Sequence, residues 1–149
     1  MTLKYLCLFF IGFFLLGAAS TYAQENFDDH KNFDNYSVHY ALFNSTFVQP
    51  DIAAIHKLKR SKYENLINIS VYKKGEPGTI PAKIEGTSRN LIQQLKVLDI
   101  IEIKEENAIY YLAPVRISGK ELMHFEFNVT PQNSNKTLDV KFSKTVYSD

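Results

Sequence analysis

From Tyr36 onward the chain alternates apolar and polar residues with a period of two. Tyr36, Val38, Tyr40 and Leu42 share one parity, and Ser37, His39 and Ala41 share the other. Such a run marks a strand with one buried face and puts His39 on the wet side. The pattern breaks over residues 50–57. There Pro50 suits a first helical turn, Asp51 complements the positive helix end and Lys57 closes the segment, so one short helix is expected. Alternation resumes through Ile67, Ile69 and Val71, with Asn68 and Ser70 facing out, and stops at the turn Gly75-Glu76-Pro77-Gly78. Ile80, Ala82 and Ile84 carry it on. Residues 88–95 fit either a helical turn or an irregular crossing segment.

The clearest hairpin signal is the pair of β-rich runs flanking Glu105-Glu106-Asn107. In its second run Ile109 and Tyr111 take the core parity. Tyr110 and Leu112 fall on the other face, where covering loops or a contact surface would account for them. Met123, Phe125, Phe127 and Val129 form one face of the next strand, with His124, Glu126 and Asn128 opposite. Leu138, Val140, Phe142 and Val146 close the chain. About seven strands, one short helix and no βαβ alternation predict a mainly β protein. The expected fold is a single antiparallel β-sandwich of immunoglobulin-like architecture over residues 35–149, with a small barrel as the alternative.

The N-terminus follows different rules. Lys4 precedes an unbroken apolar run from Leu6 to Ala19, and Thr21-Tyr22-Ala23 places small residues at a cleavage site. The run is shorter than the roughly 20 residues a spanning helix needs. The expectation is a signal peptide over residues 1–23, cleaved after Ala23, rather than an uncleaved anchor. Residues 24–34, polar and acidic, form an N-terminal arm. Cys7, the one cysteine, lies inside the apolar run and away from the cleavage site, so lipidation is not expected. The mature chain then has no disulfide and relies on its core. Without Lys4, Lys plus Arg equals Asp plus Glu, which argues against a general polyanion or nucleic-acid binder. No later run is long enough to cross a membrane. The expectation is export into an oxidising compartment.

Candidate chemistry is sparse. His39 and His124 both face outward, and if their strands were neighbours the two rings could hold a metal. No H-x-H or H-x-x-x-H spacing supports this, so solvated surface histidines are the simpler reading. No cofactor and no catalytic residue is expected. Gly86-Thr87-Ser88-Arg89-Asn90 only loosely resembles a nucleophile elbow, and the carboxylates Glu102, Glu105 and Glu106 belong at a hairpin end. The most distinctive charge feature is a basic loop, Lys57, Lys59, Arg60 and Lys62, placing four cations within six residues. It suits an envelope protein or an anionic lipid headgroup, or a purely solvated loop. Arg60 is also placed to pin the acidic arm carrying Asp28, Asp29 and Asp34. Asn44 with Ser45, and Asn90 with Gln94, are expected to organise turns through side-chain to backbone bonds.

Several stretches together resemble a known family. They are Val38 to Ala53, Arg60-Ser61-Lys62, Asn68 to Val71, Asn90 to Val115, and the closing Val146-Tyr147 and Asp149. These are similar to Gram-negative periplasmic proteins of the domain of unknown function 4426. The most specific pieces are Phe43-Asn44-Ser45-Thr46-Phe47, Asn90-Leu91 with Gln94, and Ala108 to Ala113. The resemblance implies a secreted single-domain β protein and carries no activity, cofactor or catalytic residue. Pro114 departs from the family pattern and calls continuous pairing there into question, suggesting an edge or a bulge.

Three functions are weighed. The first is a non-enzymatic binding or interaction module of the cell envelope. The second is a metal or small-ligand carrier using His39 and His124, and the third an enzyme whose site assembles only in space.

Overall fold

The structure, a computed structural model, describes residues 30–148. The expected signal peptide and the first part of the arm lie outside the described residues. In chain order the elements are β1 (His30–Asn32), β2 (Tyr36–Asn44), a 3-10 turn (Ser45–Phe47), α1 (Pro50–Ile55), β3 (Glu64–Lys73), β4 (Ala82–Asn90), β5 (Leu95–Val97), β6 (Ile101–Lys104), β7 (Ile109–Arg116), β8 (Lys120–Pro131) and β9 (Leu138–Tyr147). Two antiparallel sheets result, with strand orders β1-β2-β3-β7-β6 and β5-β4-β8-β9. They form the expected sandwich. No strand is shared between them, which sets aside the barrel.

The alternation explains the core. Val38, Ile67, Ile69, Val71, Tyr111, Ala113 and Val115 of the first sheet meet Ile84, Met123, Phe125, Phe127, Val129, Leu138, Val140 and Val146 of the second. Every one of these lies on the parity that the sequence marks as apolar.

Two short edge strands make up the difference from seven. β1 occupies part of the expected arm, pairing His30 with His39, Lys31 with Val38 and Asn32 with Ser37. The segment over residues 88–95 is neither a helix nor an irregular crossing. β4 runs on to Asn90, the chain turns, and β5 pairs back through Thr87↔Val97 and Arg89↔Leu95. Asn90 closes that turn: its Oδ1 accepts from the Gln94 N–H at 2.9 Å and its Nδ2 donates to Gln94 Oε1 at 2.8 Å.

Pro114 causes no break. It pairs with Leu66 within a continuous β3–β7 ladder. On its other side β6 ends at Ile101↔Leu112, so β7 is already an edge where the missing N–H would have been needed.

A second, smaller core lies on the outer face of the first sheet. Ala53 of α1 and Leu58 cover Leu66, Ile103 and Leu112, with Tyr110 at the margin. The apolar outer face around Tyr110 and Leu112 is therefore covered rather than open.

Candidate functional site

The basic loop owes its shape to the end of α1. His56 caps the helix, and Lys57 takes a left-handed backbone with φ 55°. The Leu58 N–H then reaches back to the Ala53 carbonyl at 2.8 Å and the Lys57 N–H to that of Ala54 at 3.3 Å. This pair of bonds is a Schellman ending, here with lysine where glycine is usual. It turns Leu58 inward against Ala53 and leaves Lys57, Lys59 and Arg60 outside.

The far end of the loop is tied to the end of β2. Asn44 and Ser45 are 4% and 0% exposed. Asn44 Oδ1 accepts from the Thr46 N–H at 2.9 Å and the Thr46 hydroxyl at 2.8 Å, and its Nδ2 donates to the Lys62 carbonyl at 2.9 Å. Ser45 Oγ donates to the Ser61 carbonyl at 3.1 Å and accepts from the Ser61 N–H at 2.9 Å. Buried polar groups so fully satisfied hold their segments rigidly. Arg60 Nη2 donates to the Thr46 carbonyl at 3.0 Å, bringing its guanidinium beside the 3-10 turn. Of the arm's acids, Asp34 pairs with Lys136 at 3.1 Å rather than with Arg60. Asp28 and Asp29 lie outside the described residues.

The same end of the molecule exposes large apolar side chains. Phe47 is 77% exposed, Ile55 69% and Ile52 40%. The sequence did not single them out, because exposure of an apolar residue depends on what distant segments leave uncovered. Together they form an apolar wedge beside Lys57, Lys59, Arg60 and Lys62, all exposed.

The two candidate histidines fall in different sheets. His39 is in β2 of the first sheet and His124 in β8 of the second, and both point outward. They lie on opposite outer faces of the sandwich, so the condition for a shared metal site is not met. His39 instead faces His30, with ring centroids 5.1 Å apart, and touches Tyr72 at 4.7 Å. Its Nε2 is 3.2 Å from Ser37 Oγ. Partial burial, then the His30 charge, lower its pKa below the ordinary 6.5. The partnership with His30 was invisible in sequence because cross-strand register carries no local signal. Among the described residues, no group of three or more His, Cys, Asp or Glu side chains is placed to hold a metal.

His124 sits on a polar face, its Nδ1 2.6 Å from Ser143 Oγ. Nearby, Arg89 and Lys141 hold the two oxygens of Glu126 at 3.0 and 3.1 Å. Lys141 first, then Arg89, keeps that carboxyl below its usual range. These groups line an open depression of about 410 Å³. The carboxylate engages the two cations rather than His124, so nothing in this set orients the imidazole against Ser143 as an activated nucleophile requires. The cross-strand pairs lace β4, β8 and β9 together.

The sequence matches the family described as a domain of unknown function (DUF4426) over residues 30–149. The chain belongs to the DUF4426 family. A solved DUF4426 protein from Pseudomonas aeruginosa is 31% identical, with a TM-score of 0.73, and the match covers 83% of this chain and 98% of that one. FetP from uropathogenic Escherichia coli shares the fold at 11% identity and a TM-score of 0.56, covering 79% of this chain and 92% of its own. A copper-bound variant of FetP is similar at 9% identity and a TM-score of 0.57, covering 80% and 89%. No curated protein matches the chain significantly. Among the described residues of this DUF4426 protein, no helix is long and apolar enough to cross a membrane.

Proposed function

We propose that this DUF4426 protein is a secreted, non-enzymatic binding module of the cell envelope, working in the periplasm. Its contact surface is the α1 end with the loop of Lys57, Lys59, Arg60 and Lys62. The observation that carries the reading is the contiguity of four exposed cations with exposed Phe47, Ile52 and Ile55 on a rigidly clamped turn. A merely solvated loop would have no need of the apolar neighbours. The apolar run ending at Thr21-Tyr22-Ala23 supports export. The test is affinity capture from envelope extracts at low and moderate salt, with the chain from Gln24 as bait beside its Lys59→Ala/Arg60→Ala variant. Retention of envelope material that the variant loses supports the reading; equal retention by both clears the loop of this role.

A second reading, a metal or small-ligand carrier, draws on the His30–His39 pair and on the fold shared with copper-bound FetP. Elemental analysis of protein purified without a histidine tag decides it, and metal well below stoichiometry removes it.

A further inference from the structure

We infer that the partner of the α1 end is a phospholipid bilayer surface bearing anionic headgroups. Phe47, Ile52 and Ile55 enter the boundary between headgroups and acyl chains, while Lys57, Lys59, Arg60 and Lys62 meet the phosphates. This rests on reading the α1 end as the contact surface and names what that surface contacts.

Composition separates lipid from protein here. Protein interfaces are depleted in Lys and concentrate their energy in Trp, Tyr and Arg. This surface has three lysines to one arginine, and its apolar members are Phe and Ile. A headgroup layer accepts lysine as well as arginine, and lysine stems extend along apolar surface while their ammonium groups stay wet. Asp51 is the sole acid between Phe43 and Tyr63, so the cations act with little local opposition. The chain as a whole carries a formal charge of only +1, so attraction to an anionic surface would come from this end rather than from net charge.

Geometry agrees. The wedge needs little ordering on contact, because Ala53 and Leu58 seat α1 on the sheet and Ser45 holds Ser61. Arg60 is fixed on the carbonyl of Thr46, the residue before Phe47, and Lys57 follows Ile55 by two residues. Cationic and apolar groups therefore present together. A second exposed apolar cluster among the described residues, Leu91, Ile92, Leu95 and Val97 on the β4–β5 hairpin, encloses the single cation Lys96 rather than a run of them and provides an internal control.

The chain has no tryptophan, so Phe47→Trp installs a single reporter at the wedge. The chain from Gln24 is mixed with phosphatidylcholine vesicles, with and without phosphatidylglycerol, and both fluorescence and cosedimentation are read. Expected is a blue shift and sedimentation with the anionic vesicles alone, weakened by salt. Lys59→Ala/Arg60→Ala should reduce partitioning about 25-fold, at roughly fivefold per cation. Phe47→Ala/Ile55→Ala should reduce it about tenfold or more, and Ile92→Ser should leave it unchanged. Unchanged urea midpoints show that the variants still fold. Absence of binding to anionic vesicles overturns the inference. So do equal binding to neutral vesicles and loss through Ile92→Ser. If an envelope protein is captured through Lys59 and Arg60 while vesicles are ignored, the lipid inference fails and the contact-surface reading stands.

Discussion

Phe127 covers Gly86 across the β4–β8 ladder, and a Cβ placed at Gly86 would overlap the Phe127 ring. Phe127 is buried in the centre of the core, so its ring cannot withdraw toward solvent. Gly86→Ala is therefore expected to cost about 1–3 kcal/mol through overpacking. Urea denaturation gives the value, and Phe127→Leu in the Gly86→Ala background should return part of it if ring overlap is the cause.

Asn44→Ala removes one acceptor and one donor from a buried cluster, leaving the Lys62 carbonyl and the Thr46 N–H short of partners. The expected loss is about 1–3 kcal/mol. Amide exchange should quicken locally at Thr46 and Ser61. A loss of global stability without local quickening would show that the clamp does not hold the loop.

Lys57 pays a backbone penalty for its left-handed conformation, because its Cβ crowds the backbone there. Lys57→Gly should raise stability by about 1 kcal/mol while deleting a cation from the proposed contact surface. Thermal denaturation beside vesicle partitioning tests both halves. A more stable variant that binds membranes less well is the expected outcome.

Tyr111 bridges the two sheets. Its hydroxyl accepts from the Ala82 N–H at 2.8 Å and donates to Glu102 at 3.2 Å. Tyr111→Phe leaves the Ala82 N–H unpaired and is expected to cost about 1–2 kcal/mol. Burial pushes the phenol pKa up, so the folded state disfavours the phenolate. Its stabilising contribution is present below the ordinary value of 10.0 and is lost as pH rises through it toward the higher folded value.

His39 titrates in the opposite sense. Burial and the His30 charge lower its folded pKa, so the folded state resists protonation. The contribution is intact above the ordinary 6.5 and is lost as pH falls through that value toward the lower folded one. An NMR titration should place the His39 midpoint below 6.5, and His30→Ala should move it part of the way back up. No movement would mean that the His30 charge contributes nothing.

Much of the fold was legible because strand burial has a strict period. Ile67, Ile69, Val71, Phe125, Phe127 and Val140 are buried where parity puts them. Asn44 with Ser45, and Asn90 with Gln94, were legible for a related reason: short polar side chains bond the backbone beside a turn. Residues 88–95 misled because they divide among the end of β4, a turn and the first residue of β5, an exposed edge strand with no buried face to alternate against. β1 was read as arm for the same reason, since all three of its residues are exposed.

By itself the sequence determined which residues face the core, where α1 begins, and that four cations gather after it. These are local properties, set by the two-residue period of a strand and by backbone sterics. Only the tertiary structure decided that His39 meets His30 rather than His124, because sheet membership depends on pairing between distant segments. It alone decided that Leu58 turns inward to cover Leu66 and Leu112 while Phe47 and Ile55 stay uncovered beside the cations. Exposure is a property of what the rest of the chain leaves open, and no single stretch encodes it.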